Sequence, residues 1–264
     1  ILTHNVSALI FSPFALLYAL VQGFISHRAS MQNPRERLLI LIMPFVLGVL
    51  LTTWFWLPAI AETRYGQMGE AFTAGYFHYS QHFRSADLIQ ASLSFDYSVA
   101  TAVEGAGPFA MGWVQALLAL LGAVRLTIRI IHEKRETAHH LTLLFGLALA
   151  TVMITPLSRP LWAHLPLLEM TQFPWRFLSV QALFTAIVTG SLGARDPVKT
   201  DRGSKKILRL AIGSGLCALT MAAALLGLRP DRLRIGAGDV TWEKLRLYES
   251  FTGNIGTTIR HEYL

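Results

Sequence analysis

Six long apolar segments limit the folds that this chain can adopt. They cover residues 6–25, 38–57, 109–131, 141–157, 177–194 and 207–228. Each approaches the roughly 20 residues that an α-helix needs to cross a bilayer. Because the bilayer offers the backbone no hydrogen-bond partners, a segment that spans it must be helical. The sequence therefore predicts an all-α polytopic membrane protein with about six transmembrane helices.

Composition excludes several other classes of protein. Hydrophobic residues make up 53% of the 264 residues and charged residues only 15%, and the mean hydropathy of +0.44 is too high for a soluble domain of this size. The net charge of +7 comes from short basic stretches between the apolar segments, which do not form the basic face of a nucleic-acid-binding protein. Cys217 is the only cysteine, which excludes an intramolecular disulfide and a thiolate metal site.

The connections between the apolar segments fall into two classes. With the arginines at nearby helix ends, the short connections hold 13 Lys and Arg and 5 Asp and Glu, whereas the long ones hold 10 and 11. The short connections are residues 26–37, 132–140 and 195–206, and the long ones are residues 58–108, 158–176 and 229–264. The positive-inside rule places the short ones in the cytoplasm. The sequence thus predicts a transmembrane domain over residues 1–228, with a long outer loop at 58–108, and an extracytoplasmic tail over 229–264.

The tryptophans favour the same topology. Near the predicted outer ends of the spans lie Trp54, Trp56, Trp113, Trp162 and Trp175. Tryptophan is enriched where a membrane protein meets the head groups, so these residues are expected to form an interfacial belt. The functional face of the protein is then expected to be extracytoplasmic.

The long outer loop carries a pattern of its own. Apolar residues alternate with polar ones over residues 69–98, which predicts a short helix that lies along the membrane interface. The candidate polar residues of this loop are Glu62, His78, His82 and Arg84. On such a helix His78 and His82, four residues apart, share a face and would ligate a metal or approach one anion. Packing at the interface is the alternative role for this pair. His132, His139 and His140 lie in a predicted cytoplasmic connection, where a solvated basic face is expected.

The sequence LLEMTQFPWRFL, residues 167–178, precedes the fifth apolar segment. Pro166 and Pro174 bracket it and prevent a continuous helix. A broken backbone at membrane depth is tolerated only where protein buries it or where it lines a wet cavity. Arg176, at the start of the span, is costly in lipid unless it pairs with an acid or faces an anion.

Two roles are open for the polar groups of this stretch. A guanidinium suits a phosphate group, so Arg176 is a candidate for binding one, with Arg159 as a second donor. Alternatively, Arg176 forms an ion pair with Glu169 and pins a re-entrant turn.

The residues before the first span offer a further candidate. His4 and Asn5 can hydrogen-bond phosphate or sugar hydroxyls, and Asn5 is equally suited to cap the first helix. Neither end of the chain carries a terminal signal, and we expect it to be part of a longer protein whose tail leads to a soluble domain.

Several motifs, in this order, resemble a bacterial integral-membrane family labelled 6-pyruvoyl-tetrahydropterin-synthase-related. They are THNVSALIFSPFALLYAL, WFWLPAIAE, YFHYSQHF, LPLLEMTQFPWRFL and GNIGTTIRHEYL. The family resembles the GT-C superfamily of membrane glycosyltransferases rather than a pterin enzyme. The resemblance covers nearly the whole chain and implies the later half of a GT-C-like fold in the bacterial inner membrane.

The resemblance implies a polyprenyl-phosphate-linked sugar as donor and an envelope glycan, lipid or protein as acceptor. It also implies a role for Arg176, Arg159 and His4 in binding the lipid phosphate at the outer leaflet. Glu169 and Gln172 would then orient the turn or meet sugar hydroxyls. The catalytic acid of GT-C enzymes lies in a loop that precedes the spans of this chain, so none is assigned here. No cofactor is evident in the sequence, and a divalent metal in the complete protein is left open.

Two other functions compete with a glycosyltransferase. A transporter or flippase of lipid-linked glycans would use broken helices and polar groups near the membrane midplane. A non-catalytic membrane scaffold would be supported if the complete protein had no acid in its first outer loop. The polar and charged groups of the candidate site gather near one face, and no acid interrupts the middle of any span, which favours the glycosyltransferase over the transporter.

Overall fold

The computed structural model describes residues 5–26, 34–62, 78–95, 109–133, 136–193 and 203–228, and a few positions between 236 and 259. The α-helices are α1 (Asn5–Ser26), α2 (Pro34–Leu51), α3 (Thr53–Glu62), α4 (Trp113–Glu133), α5 (Thr137–Ile154), α6 (Arg159–His164), α7 (Pro166–Glu169), α8 (Leu178–Gly190) and α9 (Gly203–Leu225). Two short antiparallel strands, β1 (Asn254–Ile255) and β2 (Thr258–Ile259), pair in the tail. The prediction of a mainly helical protein is confirmed.

Three of the described helices are long and apolar enough to cross a membrane. They contain the stretches Val6–Gly23, Trp113–His132 and Thr137–Ile154. A fourth candidate is the pair α2 and α3, which meet at a bend of 54°. The apolar helix Leu210–Leu225 and the 13-residue α8 are shorter than a full span. The chain is thus a helical membrane protein with three or four candidate spans among the residues that the structure describes.

Helix α8 is the centre of the packed core and lies against both α4 and α5. Its buried apolar side chains are Val180, Phe184 and Val188, which recur every four residues and so share one face. Phe14 of α1 completes the contact, with its ring 5.7 Å from the ring of Phe184. Burial of this face holds the short helix in place without the length of a full span.

Two glycines permit the close approach of α8 to its neighbours. A Cβ on Gly122 of α4 would lie 2.4 Å from the backbone carbonyl oxygen of Val188, and one on Gly146 of α5 would lie 2.3 Å from the ring of Phe184. Small residues let helix backbones meet in membrane proteins, where packing rather than the hydrophobic effect drives association. These glycines therefore set the distances between α4, α5 and α8.

One end of the bundle gathers the segment 78–95 and several helix ends. Backbone contacts join Arg84 to Ile154 at the end of α5, Ile89 to Met111 before α4, and Phe95 to Ala223 near the end of α9. The contact of Tyr18 and Gln22, near the end of α1, with His139, near the start of α5, lies at the opposite end of α5. The described part of the long loop and the end of α1 therefore lie at opposite ends of α5.

The described part of the long loop differs from its prediction. Residues 78–95 form two single turns of 3-10 helix, Tyr79–Gln81 and Ala86–Leu88, and contain no α-helix. Trp162 also departs from the expected belt, because it is fully buried and donates through Nε1 to the carbonyl oxygen of Met153 at 3.3 Å. Both differences have one cause: the loop folds back onto the bundle and covers Trp162 instead of lying in the interface.

A second difference concerns the predicted basic connection at 132–140. Helix α5 begins at Thr137 and so includes His139 and His140. His140 is buried, and Nδ1 of His139 lies 3.1 Å from Nε2 of Gln22. The expectation of a solvated basic face is wrong for these two histidines, because α1 packs against the start of α5.

We predict that Gly122→Ala destabilises the protein, because the new methyl group meets backbone that cannot move aside. The expected loss is about 1–3 kcal/mol, which thermal unfolding of the purified protein in detergent would measure. Gly48→Ala is the control, since a Cβ at Gly48 has no atom within 4 Å. It should be neutral or slightly stabilising because alanine favours helix over glycine. Equal stability of the two variants would contradict the proposed close contact.

Candidate functional site

Arg176 occupies a 3-10 turn, Pro174–Phe177, that leads directly into α8. Its Nη1 donates to the carbonyl oxygen of Thr171 at 2.9 Å, and its Cζ lies 5.0 Å from the centre of the Phe173 ring. Partial burial lowers the pKa of this guanidinium. Because desolvation penalises the charged form, an anion placed against Arg176 would be favoured more than one in open water.

No carboxylate neutralises Arg176 within the described segment 136–193. Glu169 ends the short helix α7, half-buried, and forms no ion pair with the guanidinium there. The predicted ion pair between Arg176 and Glu169 is therefore not formed in this structure. The positive charge is held in place by a backbone carbonyl and an aromatic ring, both of which leave it uncompensated.

The turn before Arg176 depends on an unusual backbone conformation at Gln172. Its φ is 60°, in the left-handed region, and its side chain is buried. The N–H of Gln172 donates to the carbonyl oxygen of Glu169 at 2.9 Å, and the N–H of Phe173 donates to that of Thr171 at 2.6 Å. A non-glycine residue in this conformation costs about 1–2 kcal/mol, which the surrounding packing must offset. Gln172 thus shapes the turn that presents Phe173 and Arg176.

The loop segment 78–95 meets this turn at Phe173. The ring of His82 lies edge-on to the Phe173 ring with centroids 4.7 Å apart, while Arg176 lies over the same ring. One aromatic side chain therefore contacts both a loop histidine and the guanidinium, although 94 positions separate His82 from Arg176 in the sequence.

Arg84 is a second cation of the site and is buried. Its Nη1 donates to Oδ2 of Asp87 at 2.7 Å, and the N–H of Ser85 donates to Oδ1 at 2.8 Å. Burial alone would raise the pKa of Asp87, but these hydrogen bonds and the charge of Arg84 hold that pKa below its usual range. Nε of Arg84 is also buried and has no hydrogen-bond partner in the structure. An acceptor at this Nε would therefore gain a hydrogen bond that the protein itself does not make.

Aromatic rings hold the third cation, Arg159, at the surface. Its Cζ lies 5.8 Å from the centre of the Phe83 ring, which packs edge-on against Trp162. Trp162 also stacks on Tyr79 with ring centroids 5.4 Å apart. The site thus consists of three guanidiniums and one paired carboxylate on an aromatic base, and it carries a net positive charge.

Comparisons of the chain with protein-family models, with curated proteins and with solved structures find no match. The description of the site therefore rests on its geometry.

The structure brings together some of the predicted site residues and leaves others apart. Arg176 and His82 share the Phe173 ring, and Gln172 and Glu169 belong to the same turn. His78 does not share a helix face with His82, since it caps the turn Tyr79–Gln81 and accepts from the N–H of Ser80 at 3.3 Å.

Two predicted residues at the start of the chain have no described side chain. His4 lies outside the described residues, and Asn5 begins α1 but its side chain is not described. Among the side chains that the structure does describe, no group of three or more His, Cys, Asp or Glu residues is arranged to hold a metal. The three guanidiniums of the described site favour an anionic ligand.

Sequence reasoning gave too little weight to Arg84 and missed Phe173 and Phe83. The signal for Arg84 is the spacing of Arg84 and Asp87, three residues apart in a loop and preceded by an aromatic residue. Phe173 carries the same kind of signal, since it stands immediately before Pro174 and three residues before an arginine. Neither signal reveals which distant ring or cation it will meet.

We predict that Asp87→Asn lowers the unfolding temperature at neutral pH, because it leaves the buried Arg84 without its carboxylate. After allowance for solvent screening, the expected loss is about 2–4 °C, or roughly 1 kcal/mol. The folded-state pKa of Asp87 is lowered, so its carboxylate contributes stability above the ordinary pKa of aspartate and loses it as the pH falls through the lowered value. Thermal unfolding should therefore show the two proteins converging under acidic conditions. A difference that stays constant with pH would contradict this account.

Proposed function

We propose that this protein is a membrane glycosyltransferase of the GT-C type, or the later half of one. It would use a polyprenyl-phosphate-linked sugar at the outer face of a bacterial inner membrane. The observation that carries the proposal is the Phe173 ring, which contacts both His82 and Arg176 and so joins the long loop to the broken segment before α8.

The charge of the site supports a phosphate-bearing donor. Arg176 and Arg159 have aromatic neighbours and no carboxylate partner within the described residues, and Arg84 has a buried Nε that makes no hydrogen bond. Guanidinium groups bind phosphate through several directed hydrogen bonds and keep their charge at all physiological pH values. A phosphate at this position would receive hydrogen bonds that the protein leaves unmade.

The place of the site supports a donor that is held in lipid. Arg176 precedes the apolar helix α8 by two residues, and exposed Leu167 and Met170 lie in the same broken segment. A lipid phosphate lies at the boundary between head groups and hydrocarbon, where such a mixture of charged and apolar side chains is stable. Aromatic rings beside the cations, including Phe173 and Trp175, would provide a surface for the sugar.

The proposal includes six membrane spans. Each of the six apolar segments contains at least one helix, and α8 and α9 would complete the count if flanking residues extend them across the bilayer. The acceptor would be an envelope glycan, lipid or protein. The catalytic acid and any divalent metal would come from parts of the complete protein that precede this chain.

We predict that Arg176→Ala in the complete protein weakens the binding of polyprenyl phosphate and lowers the turnover of a labelled polyprenyl-phosphate sugar. Loss of a charge-assisted hydrogen bond predicts a decrease of about tenfold to a hundredfold in both. The binding and turnover of Arg176→Lys should lie between those of Arg176→Ala and the wild type. Lysine keeps the positive charge but lacks the planar group that contacts the Phe173 ring. Binding to protein in lipid nanodiscs measures the first quantity, and release of label measures the second.

Arg129→Ala is the control for loss of charge. Arg129 lies near the end of α4, whereas the loop segment 78–95 contacts the chain just before the start of α4. Arg129→Ala should leave both quantities unchanged. If Arg176→Ala retains wild-type binding and turnover, with an unchanged unfolding temperature, the phosphate role of Arg176 is wrong.

A transporter of lipid-linked glycans is the second candidate, and one observation favours it. The 54° bend between α2 and α3 is the kind of broken helix that lines transport pathways. Flux of a lipid-linked glycan across proteoliposomes without glycosyl transfer would favour this function, whereas transfer without flux would favour the glycosyltransferase.

A further inference from the structure

A cavity of about 660 Å³ lies between α4, α8 and α9, apart from the cluster around Arg176. Its volume falls within the roughly 300–1,000 Å³ of small-molecule sites. It extends along α8 from Leu178 to Gly190 and beyond, and its wall is mainly apolar. None of the described residues that line it carries a charge. A ligand of this cavity is therefore uncharged and mostly apolar.

Two threonines of α8 give the cavity a specific polar feature. Thr185 and Thr189 both line it, one helical turn apart, and their Oγ1 atoms are buried and form no hydrogen bond in the structure. Thr185 is 7% exposed. A buried hydroxyl without a partner costs about 1–3 kcal/mol, so two of them on one wall favour a ligand that supplies acceptors.

Several other helical threonines do not share this feature. Their hydroxyls donate to the carbonyl oxygen four residues earlier, as membrane-helix threonines commonly do. Examples are Thr127 to Ala123, Thr142 to Ala138, Thr151 to Leu147 and Thr220 to Leu216, at 2.7–2.9 Å. Thr220 is informative because it lines the same cavity with its hydroxyl already bound. Thr185 and Thr189 thus differ from Thr220 because their hydroxyls remain available to a ligand of the cavity.

We propose that this cavity binds an uncharged glycerolipid of the diacylglycerol class, whose ester carbonyl oxygens accept hydrogen bonds from Thr185 and Thr189. The acyl chains would fill the apolar space between the three helices. A phospholipid fits less well, because its phosphate would have no cation among the described lining residues. A hydrocarbon chain without ester groups would leave both hydroxyls unpartnered. The proposal does not rest on the glycosyltransferase function.

The test compares a photoreactive diacylglycerol with its dialkyl ether analogue, which lacks both carbonyl oxygens. Each is incorporated into nanodiscs with the complete wild-type protein, and labelling of α8 and α9 is measured by mass spectrometry. Two hydrogen bonds predict about fivefold to tenfold more labelling by the ester than by the ether. The double variant Thr185→Val, Thr189→Val keeps the shape of the cavity and should label equally with both probes.

Thr220→Val is the matched control within the same cavity and should keep the preference for the ester. Arg176→Ala should keep it too, which separates this site from the proposed phosphate site. The double variant should unfold at or above the temperature of the lipid-free wild type, because it removes two unsatisfied groups. It should lose the increase in unfolding temperature that diacylglycerol causes.

Three results would overturn the proposal. One is equal labelling of the wild type by the ester and the ether, as expected if water or a bare hydrocarbon chain occupies the cavity. The second is competition by a phospholipid as effective as that by unlabelled diacylglycerol. The third is the absence of labelling in α8 and α9, as expected if a protein segment fills the space.

Discussion

The end of α5 presents backbone carbonyl groups that the rest of the structure has to satisfy. The last carbonyls of a helix have no partner within it, and at membrane depth water does not replace one. Met153 accepts from Oγ of Ser158 at 3.1 Å and from Nε1 of Trp162 at 3.3 Å, and Ile154 accepts from the N–H of Arg84 at 2.9 Å. The broken segment and the outer loop are therefore held against the same helix end by the same requirement.

The gathering of positive charge follows from this arrangement. The bond to Ile154 fixes Arg84 in a buried position, where it needs Asp87, and the neighbouring Phe83 then lies against Trp162 and Arg159. Desolvation makes the buried Arg84 and the partly buried Arg176 costly unless a carboxylate, a ring or a ligand compensates them. The described part of the site supplies one carboxylate for three guanidiniums. The remaining imbalance is what makes an anionic ligand the natural complement of this surface.

The sequence predicts the helices well because their signal is local. Apolar segments of about 20 residues and the prolines at 166 and 174 place most of the long helices and the break before α8. They do not predict the 54° bend that divides the apolar segment 38–57 between α2 and α3. The loop was harder to predict, because an amphipathic pattern around His78 and His82 fits an interfacial helix as well as two turns folded over Trp162. The contacts of the loop with Ile154 and Phe173 decide between these two structures. The local sequence pattern does not show which distant residues the loop will contact. The same reason explains why Arg176 was found as a candidate, whereas its ring contact with Phe173 and the absence of an ion pair with Glu169 were not.

Helix α8 packs into the core with one face and lines the cavity with another. Val180, Phe184 and Val188 face the core with α1 and α5, whereas Gln181, Thr185 and Thr189 follow each of them by one residue and lie about 100° further around the helix. Gln181, near the start of α8, donates to Oγ1 of Thr151 of α5 at 3.1 Å. The second face is therefore held to α5 near the start of α8, and its two threonines follow toward the end of the helix. The turn that holds Arg176 continues directly into this helix. A shift of α8 would therefore move the guanidinium and the two threonines together, and occupancy of the cavity is expected to steady the position of Arg176 without contacting it.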